Sequence, residues 1–543
     1  MPPVLSAFRP SAVRVVGSSL GKAFPRRNIS SQELDRTRGD RERIVILGSG
    51  WAGYTLSRQL DPRKFQAVVV SPRSYFVFTP LLASTAVGTL EFRTTLEPVR
   101  RRNSGVQFVQ GWADAVDFSK KRLVVEESAV GRYNSVALTA DPGHTPAWPS
   151  VPDEGAVPKG KLFELEYDKL VIAVGCYSQT FGTKGVRENA LFLKDVGDSR
   201  QIRKRILDCT CYCLNDGMAC FETAALPSTS EELKRQMLNF AIVGGGPTGV
   251  EFAAELFDLC NEDLKKIYPG LVQDVRISIY DVAPQILSMF DKSLADYAVR
   301  TFSRDGIKVK TEHHIEELRR GLPGFSEDAE EAAGCLTLKT KEDGEIGIGM
   351  CVWSTGLMMN PFVQKALNTV HTYPTSSCEL SDPSADIKDL QWKMKRHPKT
   401  GGLLIDDHFR VKLIAQQSAH DDASTEATMK DVFALGDVSV LEKGMLPATA
   451  QVANQEAQWL AKRLNKGDLE QQPFSYRNLG VMTYLGNWKA IMQTGGNNEI
   501  TGWAAWVIWR GAYLTQTISW RNKILIPIYW AINWIFGRDI SRF

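Results

Sequence analysis

The chain has 543 residues, of which 43% are apolar and 23% charged, an ordinary composition for a soluble globular protein that excludes a predominantly disordered chain. Its length is sufficient for two or three domains with a sizeable core. The formal net charge of +3 is too small to indicate nucleic acid as a partner.

The N-terminal 30 residues are basic. They hold five Lys or Arg residues and several Ser and Ala, but no acidic residue. This composition is typical of a mitochondrial presequence rather than of a secretory signal, which needs an uninterrupted apolar core. We therefore expect residues 1–40 to be a presequence or otherwise disordered. A basic tail without a targeting role is the alternative.

Two glycine-rich loops lie roughly 200 residues apart. An apolar β-branched run precedes each loop and a helical pattern follows it, which is the context that makes a GxGxxG match informative. Glycines at these positions allow a tight turn and let the backbone approach a pyrophosphate at the helix N-terminus. The glycines are Gly48, Gly50 and Gly53 in the first loop, and Gly244, Gly246 and Gly249 in the second.

The residue that ends the next strand of each unit distinguishes the two loops. The predicted strand 276–280 leads to Asp281, whose carboxylate can accept hydrogen bonds from both ribose hydroxyls. It would also repel a 2′-phosphate by on the order of 4 kcal/mol at about 4 Å and an effective dielectric of about 20. The second loop is therefore predicted to prefer NADH over NADPH. The corresponding strand of the first unit ends in Ser71, and Arg73 follows it; both side chains can still bind ribose or pyrophosphate.

Three further predicted strands end in residues suited to a nucleotide site. They are 169–174, which leads to Gly175, 350–353, which leads to Gly356, and 432–435, which leads to Gly436 and Asp437. An Asp at the end of a late strand suits the ribityl hydroxyls and second phosphate of a flavin, and its pairing with an N-terminal glycine loop is specific. Residues 371–400 and 415–428 lack apolar periodicity and are interpreted as polar insertions.

Strands alternate with helices twice over, which predicts an α/β fold with two Rossmann-like dinucleotide-binding domains and parallel sheets. The pattern of the first unit returns at 401–460, so we expect the second domain to be inserted into the first. The expected parts are 41–195 and 361–465 for the first domain, 196–360 for the inserted domain and 466–543 for a C-terminal region.

The nine cysteines include no CxxC pair, and the first of them, Cys176, lies far beyond the first glycine loop. Flavin disulfide reductases carry a close cysteine pair soon after that loop, so a thiol–disulfide relay is not expected. The cluster Cys209, Cys211 and Cys213 has no histidine nearby and predicts free buried thiols rather than a metal site. We expect no bound metal.

Four segments resemble the fungal mitochondrial type II (alternative, non-proton-pumping) NADH:ubiquinone oxidoreductases. They are VSPRSYFVFTPLLASTAVGTLEFRTTLEPVR at 70–100, GGGPTGVEFAAEL at 244–256, ALGDVSV at 434–440 and PATAQVANQEA at 447–457. The resemblance covers roughly residues 40–543. It implies a flavoprotein peripheral to the mitochondrial inner membrane, with FAD in the first domain and NADH as the substrate in the second. Electrons would pass from the flavin to ubiquinone.

The resemblance also implies roles for individual residues. The expected FAD-binding residues are Gly48, Gly50, Gly53, Ser71, Arg73, Thr79, Pro80, Gly175, Gly436 and Asp437. The expected NADH-binding residues are Gly244, Gly246, Gly249, Asp281 and Gly356. The expected catalytic residues are Glu251, beside the nicotinamide–flavin stack, and Gln451 and Gln455 on the quinone side.

Gln451 and Gln455 are four residues apart and share one helix face. Without the resemblance, a solvated helix face would be the preferred interpretation of these glutamines. Asn454 stands where close relatives often carry His, which argues against a proton relay through an imidazole.

The C-terminal region is rich in tryptophan but has no run of about 20 apolar residues that could span a bilayer. Two stripes are predicted on two helices: Trp506, Trp509, Tyr513 and Trp520 on the first, and Leu525, Ile528, Ile532 and Ile535 on the second, which Pro527 would begin. Basic residues flank both stripes. Such helices suit the headgroup plane of a membrane. A homodimer interface is the alternative, and the two are compatible.

Two other functions compete with an NADH:quinone oxidoreductase. A sulfide:quinone oxidoreductase needs flanking redox cysteines and no NADH loop, and this chain has the reverse. A protein like the apoptosis-inducing factor, in which NADH binding serves redox sensing or assembly, would not need the tryptophan-rich tail.

Overall fold

A computed structural model gives the structure of the chain. It describes residues 31–101, 105–128, 160–207, 220–325, 335–367, 371–372, 377–381, 390–416, 425–496 and 498–540. Residues 1–30 of the predicted presequence and the cluster Cys209, Cys211 and Cys213 lie outside the described residues.

The first half of the chain contains these helices and strands, in chain order. They are α1 (Ser31–Arg38), β1 (Glu42–Leu47), α2 (Trp51–Gln59), β2 (Phe65–Ser71), β3 (Tyr75–Val77), α3 (Leu82–Ala86), β4 (Leu96–Pro98), β5 (Gln107–Asp117), β6 (Arg122–Glu127), β7 (Leu162–Glu166), β8 (Lys169–Ile172), β9 (Cys176–Ser178), α4 (Val186–Asn189), β10 (Leu191–Phe192), α5 (Val196–Leu207), α6 (Cys220–Ala225), α7 (Glu231–Met237), β11 (Asn239–Val243) and α8 (Pro247–Leu259).

A π-helical turn, Cys260–Leu264, continues α8. The remaining elements are α9 (Lys265–Ile267), β12 (Arg276–Tyr280), α10 (Lys292–Asp305), β13 (Lys308–Lys310), β14 (Ile315–Arg320), β15 (Leu336–Thr340), β16 (Gly344–Ile348), β17 (Met350–Trp353), β18 (Leu357–Met359), α11 (Pro361–Lys365), β19 (His371–Thr372), β20 (Cys378–Leu380), β21 (Gln391–Met394), β22 (Leu403–Ile405), β23 (Arg410–Gln416), β24 (Glu426–Ala434), β25 (Ser439–Leu441), α12 (Ala450–Lys466), β26 (Val481–Tyr484), β27 (Ala490–Gln493), β28 (Glu499–Thr501), α13 (Gly502–Gln516) and α14 (Trp520–Phe536).

The first large sheet has five parallel strands at its centre, in the order β24-β8-β1-β2-β5. β1 and β2 are apolar runs that are buried along nearly their whole length, as expected for parallel strands covered on both faces. Antiparallel strands extend the sheet: β6 and β7 beyond β5, and β23, β21 and β19 beyond β24.

The second sheet has five strands, all parallel, in the order β10-β17-β11-β12-β13. All of them lie between β8 and β24 in the chain, so the second unit is inserted into the first. β9 and β18 pair antiparallel where the chain passes between the two units. The predicted α/β fold with two dinucleotide-type sheets is confirmed.

Two segments expected to be irregular are ordered. In the expected 1–40 leader, Ser31–Arg38 is helical and buries Leu34, whose carbonyl accepts a hydrogen bond from Gln66 Nε2 at 2.8 Å. The prediction of disorder is therefore wrong for this end of the segment. In the expected polar insertion 371–400, β21 alternates exposed residues with the buried Trp392 and Met394 and pairs with β23. Alternation of period two marks a sheet strand, although its neighbours in sequence are polar.

The C-terminal helices form as predicted but differ in their limits and faces. α14 begins at Trp520 and not at Pro527, which lies in its interior. Ser519 is the N-cap of this helix, since its hydroxyl accepts a hydrogen bond from Asn522 N at 3.2 Å. Trp506 and Trp509 are buried at 8% and 4% exposure, whereas Trp520 is 79% exposed. The prediction that Trp520 belongs to the stripe of Trp506, Trp509 and Tyr513 is therefore wrong, since Trp520 begins α14. The face of α13 that carries Trp506 and Trp509 packs into the protein core instead of facing outward.

Candidate active site

The first glycine loop connects β1 to α2 and leaves no room for side chains at two of its three glycines. A Cβ on Gly48 would lie 2.3 Å from the Ala173 carbonyl oxygen, and one on Gly53 would lie 2.1 Å from the Gly48 carbonyl oxygen. Gly50 differs, because no heavy atom of the described residues lies within 4 Å of its Cβ position. The backbone at Gly50 is therefore the part of this loop that a pyrophosphate can approach.

The second glycine loop, between β11 and α8, has the same geometry. A Cβ on Gly244 would lie 2.9 Å from Thr355 Cβ, and one on Gly249 would lie 2.1 Å from the Gly244 carbonyl oxygen. Around Gly246 the described residues leave 4 Å clear. The two loops thus repeat one construction: the first glycine lies against the segment that follows a neighbouring strand, the third lies against the carbonyl of the first, and the middle glycine faces open space. Both loops fit a dinucleotide.

Ser71 and Arg73 hold the rim of the first loop. Ser71 Oγ is 3.0 Å from Ser49 Oγ and accepts a hydrogen bond from Arg73 N at 3.2 Å. The Arg73 guanidinium lies 3.3 Å from the Asp195 carboxylate. Ser71 therefore ties the strand end to the glycine loop, and Arg73 is held in place by an acid of the inserted unit.

Thr79 and Pro80 lie beside this loop at its other side. Thr79 is exposed and accepts a hydrogen bond from Trp51 Nε1 at 3.0 Å. Trp51 directly follows Gly50, so the expected isoalloxazine-side segment is attached to the phosphate-binding turn.

Asp437, Lys194 and Cys176 form a polar cluster at the carboxyl edge of the first sheet. Cys176 follows Gly175, which has a φ of +66°, and its thiol donates to the Asp437 carbonyl oxygen at 3.1 Å. Lys194 Nζ donates to the Cys176 carbonyl oxygen at 3.2 Å. Burial raises the pKa of Asp437 and lowers that of Lys194. A half-buried acid and a half-buried amine suit a ligand that carries both hydroxyl and carbonyl groups, as a flavin does.

Cys176 and Gly436 complete this edge. Burial raises the pKa of the Cys176 thiol to about 12, so it is a neutral donor and not a reactive thiolate. Gly436 N donates to Glu456 Oε2 of α12 at 2.6 Å, which fixes the strand end against that helix. Burial raises the pKa of Glu456 to about 7.

Asp281 lies at the rim of the second loop, where the ribose interpretation requires it. Its carboxylate accepts from Gly245 N at 2.5 Å and from Ala283 N at 2.8 Å. Gly356 follows β17, the neighbour of β11, and has a φ of +74°. A Cβ there would lie 2.8 Å from the Gln179 carbonyl oxygen, so only glycine fits.

Glu251 is buried in α8, one turn into the helix, with 7% of its surface exposed. Three donors converge on its Oε1: Tyr484 N at 3.2 Å, Trp509 Nε1 at 3.2 Å and Thr483 Oγ1 at 3.4 Å. Burial raises the pKa of Glu251 to about 8, against the stabilising effect of these bonds. The carboxyl group is therefore mostly protonated at neutral pH, and its three donors belong to the C-terminal region.

Gln451 and Gln455 lie on one face of α12, and one segment, 476–480, covers both. Gln451 Oε1 accepts from Tyr476 Oη at 2.5 Å and from Leu479 N at 3.1 Å. Gln455 exchanges two bonds with the Arg477 backbone, at 2.8 and 3.1 Å. The solvated-face interpretation of these glutamines is not supported, because both amides are engaged. The intervening Asn454 Oδ1 accepts from Thr55 Oγ1 at 2.8 Å.

Sequence reasoning missed a row of buried acids that continues from Glu251 along α8. Glu255 accepts from Ser84 at 2.6 Å and Thr89 at 2.7 Å, both in the first domain. Asp258 accepts from Tyr484 Oη at 2.5 Å, and burial raises its pKa to about 7. The spacing of four and three residues places all three acids on one helix face, and that signal was present in the sequence. Sequence reasoning also missed Lys194, because this residue belongs to no recognisable motif.

The outer surface of the C-terminal helices is apolar. Of the 21 exposed large apolar side chains in the described structure, ten lie on α13 and α14. These are Trp503, Val507, Ile508, Trp520, Ile524, Ile528, Ile532, Trp534, Ile535 and Phe536. Within the described chain, no helix has both the length and the apolar character needed to cross a membrane.

Comparison with known proteins agrees with this geometry. A family described as pyridine nucleotide-disulphide oxidoreductase matches residues 42–372, and one described as NDH2 C-terminal domain matches residues 478–539. A "Probable NADH dehydrogenase" of Dictyostelium discoideum is 34% identical, with 97% of this chain and 96% of that protein covered. An Arabidopsis thaliana protein named "Internal alternative NAD(P)H-ubiquinone oxidoreductase A1, mitochondrial" is 33% identical over 93% of this chain and 86% of its own length.

Among solved structures, NDH2 from Plasmodium falciparum in complex with NADH superposes with a TM-score of 0.69 at 22% identity, covering 92% of this chain and 100% of that one. A likeness at this identity shows the shared fold. The identities of the two relatives, sustained over nearly the whole chain, together with the two family matches, settle the family. The chain belongs to the type II NADH dehydrogenase (NDH2) family, within the pyridine nucleotide-disulphide oxidoreductases.

Proposed function

We propose that this chain oxidises NADH with an FAD cofactor and passes two electrons to ubiquinone, without pumping protons, at the surface of the mitochondrial inner membrane. The observation that carries the proposal is the repeated loop: two glycine loops of the same construction, each with room for a dinucleotide, lie in one chain, and relatives of this chain are named NADH dehydrogenase and NAD(P)H-ubiquinone oxidoreductase. The redox-sensing alternative has no comparable support, since the NDH2 C-terminal match covers the tryptophan-rich tail.

The first loop would hold FAD and the second NADH. Gly50 and Asp437 would contact the pyrophosphate and ribityl chain of the flavin, while Gly246 and Asp281 would contact the pyrophosphate and adenosine ribose of NADH. When bound, FAD supplies the hydride acceptor for NADH and the two-electron donor for quinone. The protein would hold the two nucleotides in position, because the pairing of β9 with β18 fixes the carboxyl edges of the two sheets relative to each other.

The quinone would approach the flavin from the side of Gln451 and Gln455. Leu479 supports this placement, because its side chain is 58% exposed while its backbone N–H binds Gln451. An exposed apolar residue beside a half-buried amide suits a ligand with an apolar tail and carbonyl oxygens. Glu251, mostly protonated at neutral pH, would be a proton-carrying group on this side, since its donors Thr483 and Tyr484 follow segment 476–480 in the chain.

The faces of α14 support membrane attachment. Its inner face carries Asn522, which donates to Glu97 Oε1 at 3.0 Å, and Asn533, which donates to the Thr89 carbonyl oxygen at 2.8 Å. Its outer face carries isoleucines and Trp534. The inner face thus makes polar contacts with the protein, while four isoleucines and Trp534 are exposed on the outer face, which therefore suits a lipid surface.

The test is a half-reaction experiment on the purified holoprotein. NADH added anaerobically should bleach the flavin absorbance, and a short-chain ubiquinone should restore it. Bleaching without recovery would exclude the quinone reductase function, and absence of bleaching would exclude NADH as the donor. Sedimentation with vesicles measures attachment, and light scattering measures the homodimer predicted as an alternative role of the C-terminal region.

A further inference from the structure

Phe181 has a conformation that ordinary packing does not explain. Its φ is +55°, in the left-handed region that residues with a bulky side chain rarely adopt. It is also 62% exposed, so burial of the ring does not compensate for this backbone strain. Strained residues of this kind are kept where they serve a site.

The Phe181 ring lies against Gly356. A Cβ on Gly356 would be 2.8 Å from both Cε2 and Cζ of the ring, so the phenyl edge contacts the glycine backbone directly. Gln179 N donates to the Gly356 carbonyl oxygen at 3.4 Å, which keeps the two segments together. Gly356 is only two residues from Ser354, whose hydroxyl donates to the Gly244 carbonyl oxygen at 3.3 Å. The ring is therefore at the carboxyl edge of the second sheet, next to its glycine loop.

The same segment also reaches the first domain. Ser178 pairs with Leu357 across β9 and β18, and Cys176 at the start of β9 binds the backbone of Asp437. The segment that carries Phe181 is thus joined to the carboxyl edges of both sheets. In a dinucleotide held by the second loop, the nicotinamide half is the one that must face the flavin.

We propose that Phe181 is a binding residue for NADH, its exposed ring forming an apolar platform for the nicotinamide half of the dinucleotide. This inference rests on the proposed function. A flat aromatic ring can be covered by a nicotinamide with little loss of side-chain freedom, and stacking of two aromatic groups contributes a few-fold to affinity. The left-handed backbone is what turns the ring outward over Gly356.

Three variants test the proposal. Phe181→Asn removes the ring while keeping a residue that tolerates the left-handed region. Phe181→Tyr keeps the ring. Phe325→Asn is the matched control, because Phe325 is a 56% exposed phenylalanine on the turn after β14. Steady-state kinetics with saturating quinone, and NAD⁺ binding followed through the flavin spectrum, are measured together with FAD content and Tm.

We expect Phe181→Asn to raise the KM for NADH and the Kd for NAD⁺ on the order of fivefold, with kcat and FAD content unchanged and Tm equal or higher. Phe181→Tyr and Phe325→Asn should match the wild type. An unchanged KM and Kd in Phe181→Asn, or a lower Tm with loss of FAD, would overturn the proposal. A wild type that NADH fails to bleach would instead refute the proposed function, so the two failures are distinguishable.

Discussion

Glu251 offers a quantitative test of how the core responds to pH. Burial raises its pKa to about 8 from an ordinary value of 4.5, and the acid is 7% exposed. The difference corresponds to about 5 kcal/mol against the charged form. Because all three donors bind Oε1, the proton belongs on Oε2. A Glu251→Gln variant reproduces that arrangement, with an amide donor in place of the protonated oxygen.

The direction in which stability changes with pH follows from the raised pKa of Glu251. The contribution of Glu251 to stability is fully present below pH 4.5 and is lost as the pH rises through 8, since the unfolded chain releases the proton first. Between pH 5.5 and 7.5 the wild type should lose about 2.5 kcal/mol from this group, and Glu251→Gln should lose none of it. For a chain of this length that is a difference of about 2 °C in Tm.

The assay is thermal unfolding of wild type and variant across this pH range, followed by tryptophan fluorescence. The gap in Tm between Glu251→Gln and wild type should widen in favour of the variant as the pH rises. Glu188→Gln removes an exposed carboxylate of α4 and should leave the wild-type pH dependence unchanged. Parallel pH curves for Glu251→Gln and wild type would refute the reasoning, because they would show that Glu251 is already ionised at pH 5.5.

Three other predictions follow from the site and its surroundings. Asp281→Asn removes the charge that repels a 2′-phosphate, so the ratio of kcat/KM for NADH to kcat/KM for NADPH should fall on the order of tenfold. An unchanged ratio would show that Asp281 does not bind the ribose. Replacing Ile524, Ile528 and Ile532 together by Ser should lower binding to vesicles at least about tenfold without lowering Tm, since all three are exposed, and undiminished sedimentation would exclude this face as the contact. Arg538→Met leaves the buried Asp263 without its ion-pair partner, which lies 2.6 Å away in the wild type. The free energy of unfolding should fall by about 3 kcal/mol, measured as a lower Tm, and an unaltered Tm would show that the ion pair is dispensable.

The sequence predicted the parallel strands best. Arg276–Tyr280 and Met350–Trp353 have the limits expected from their apolar residues, and both end in the loops that carry Asp281 and Gly356. Such strands are buried on both faces, so the apolar run itself marks the element. Strand β21 was missed, because only alternate residues are buried there and the exposed ones resemble a polar insertion.

The C-terminal helices show what periodicity leaves undetermined. An apolar stripe predicts that a helix face is covered, but not by what. Trp509 was expected to face lipid, yet it is 4% exposed and donates to Glu251. Trp534 on α14 carries a similar signal and is 74% exposed. The difference arises from the acid on α8, since only tertiary structure places a buried carboxyl group beside one indole and leaves the other free.

Helix α8 therefore links the second glycine loop to the C-terminal region proposed to attach to the membrane. α8 begins at the second glycine loop, and its buried acids bind β26 and α13 through Glu251 and Asp258. The π-helical turn that continues it binds Arg538 after α14 through Asp263. Truncation before α13 would remove partners of the NADH-binding unit together with the apolar surface, so loss of activity in such a protein would not report on the membrane. Substitutions confined to the exposed isoleucines separate the two effects, because they leave in place Trp509 and Arg538, which bind the acids of α8 and of the turn after it.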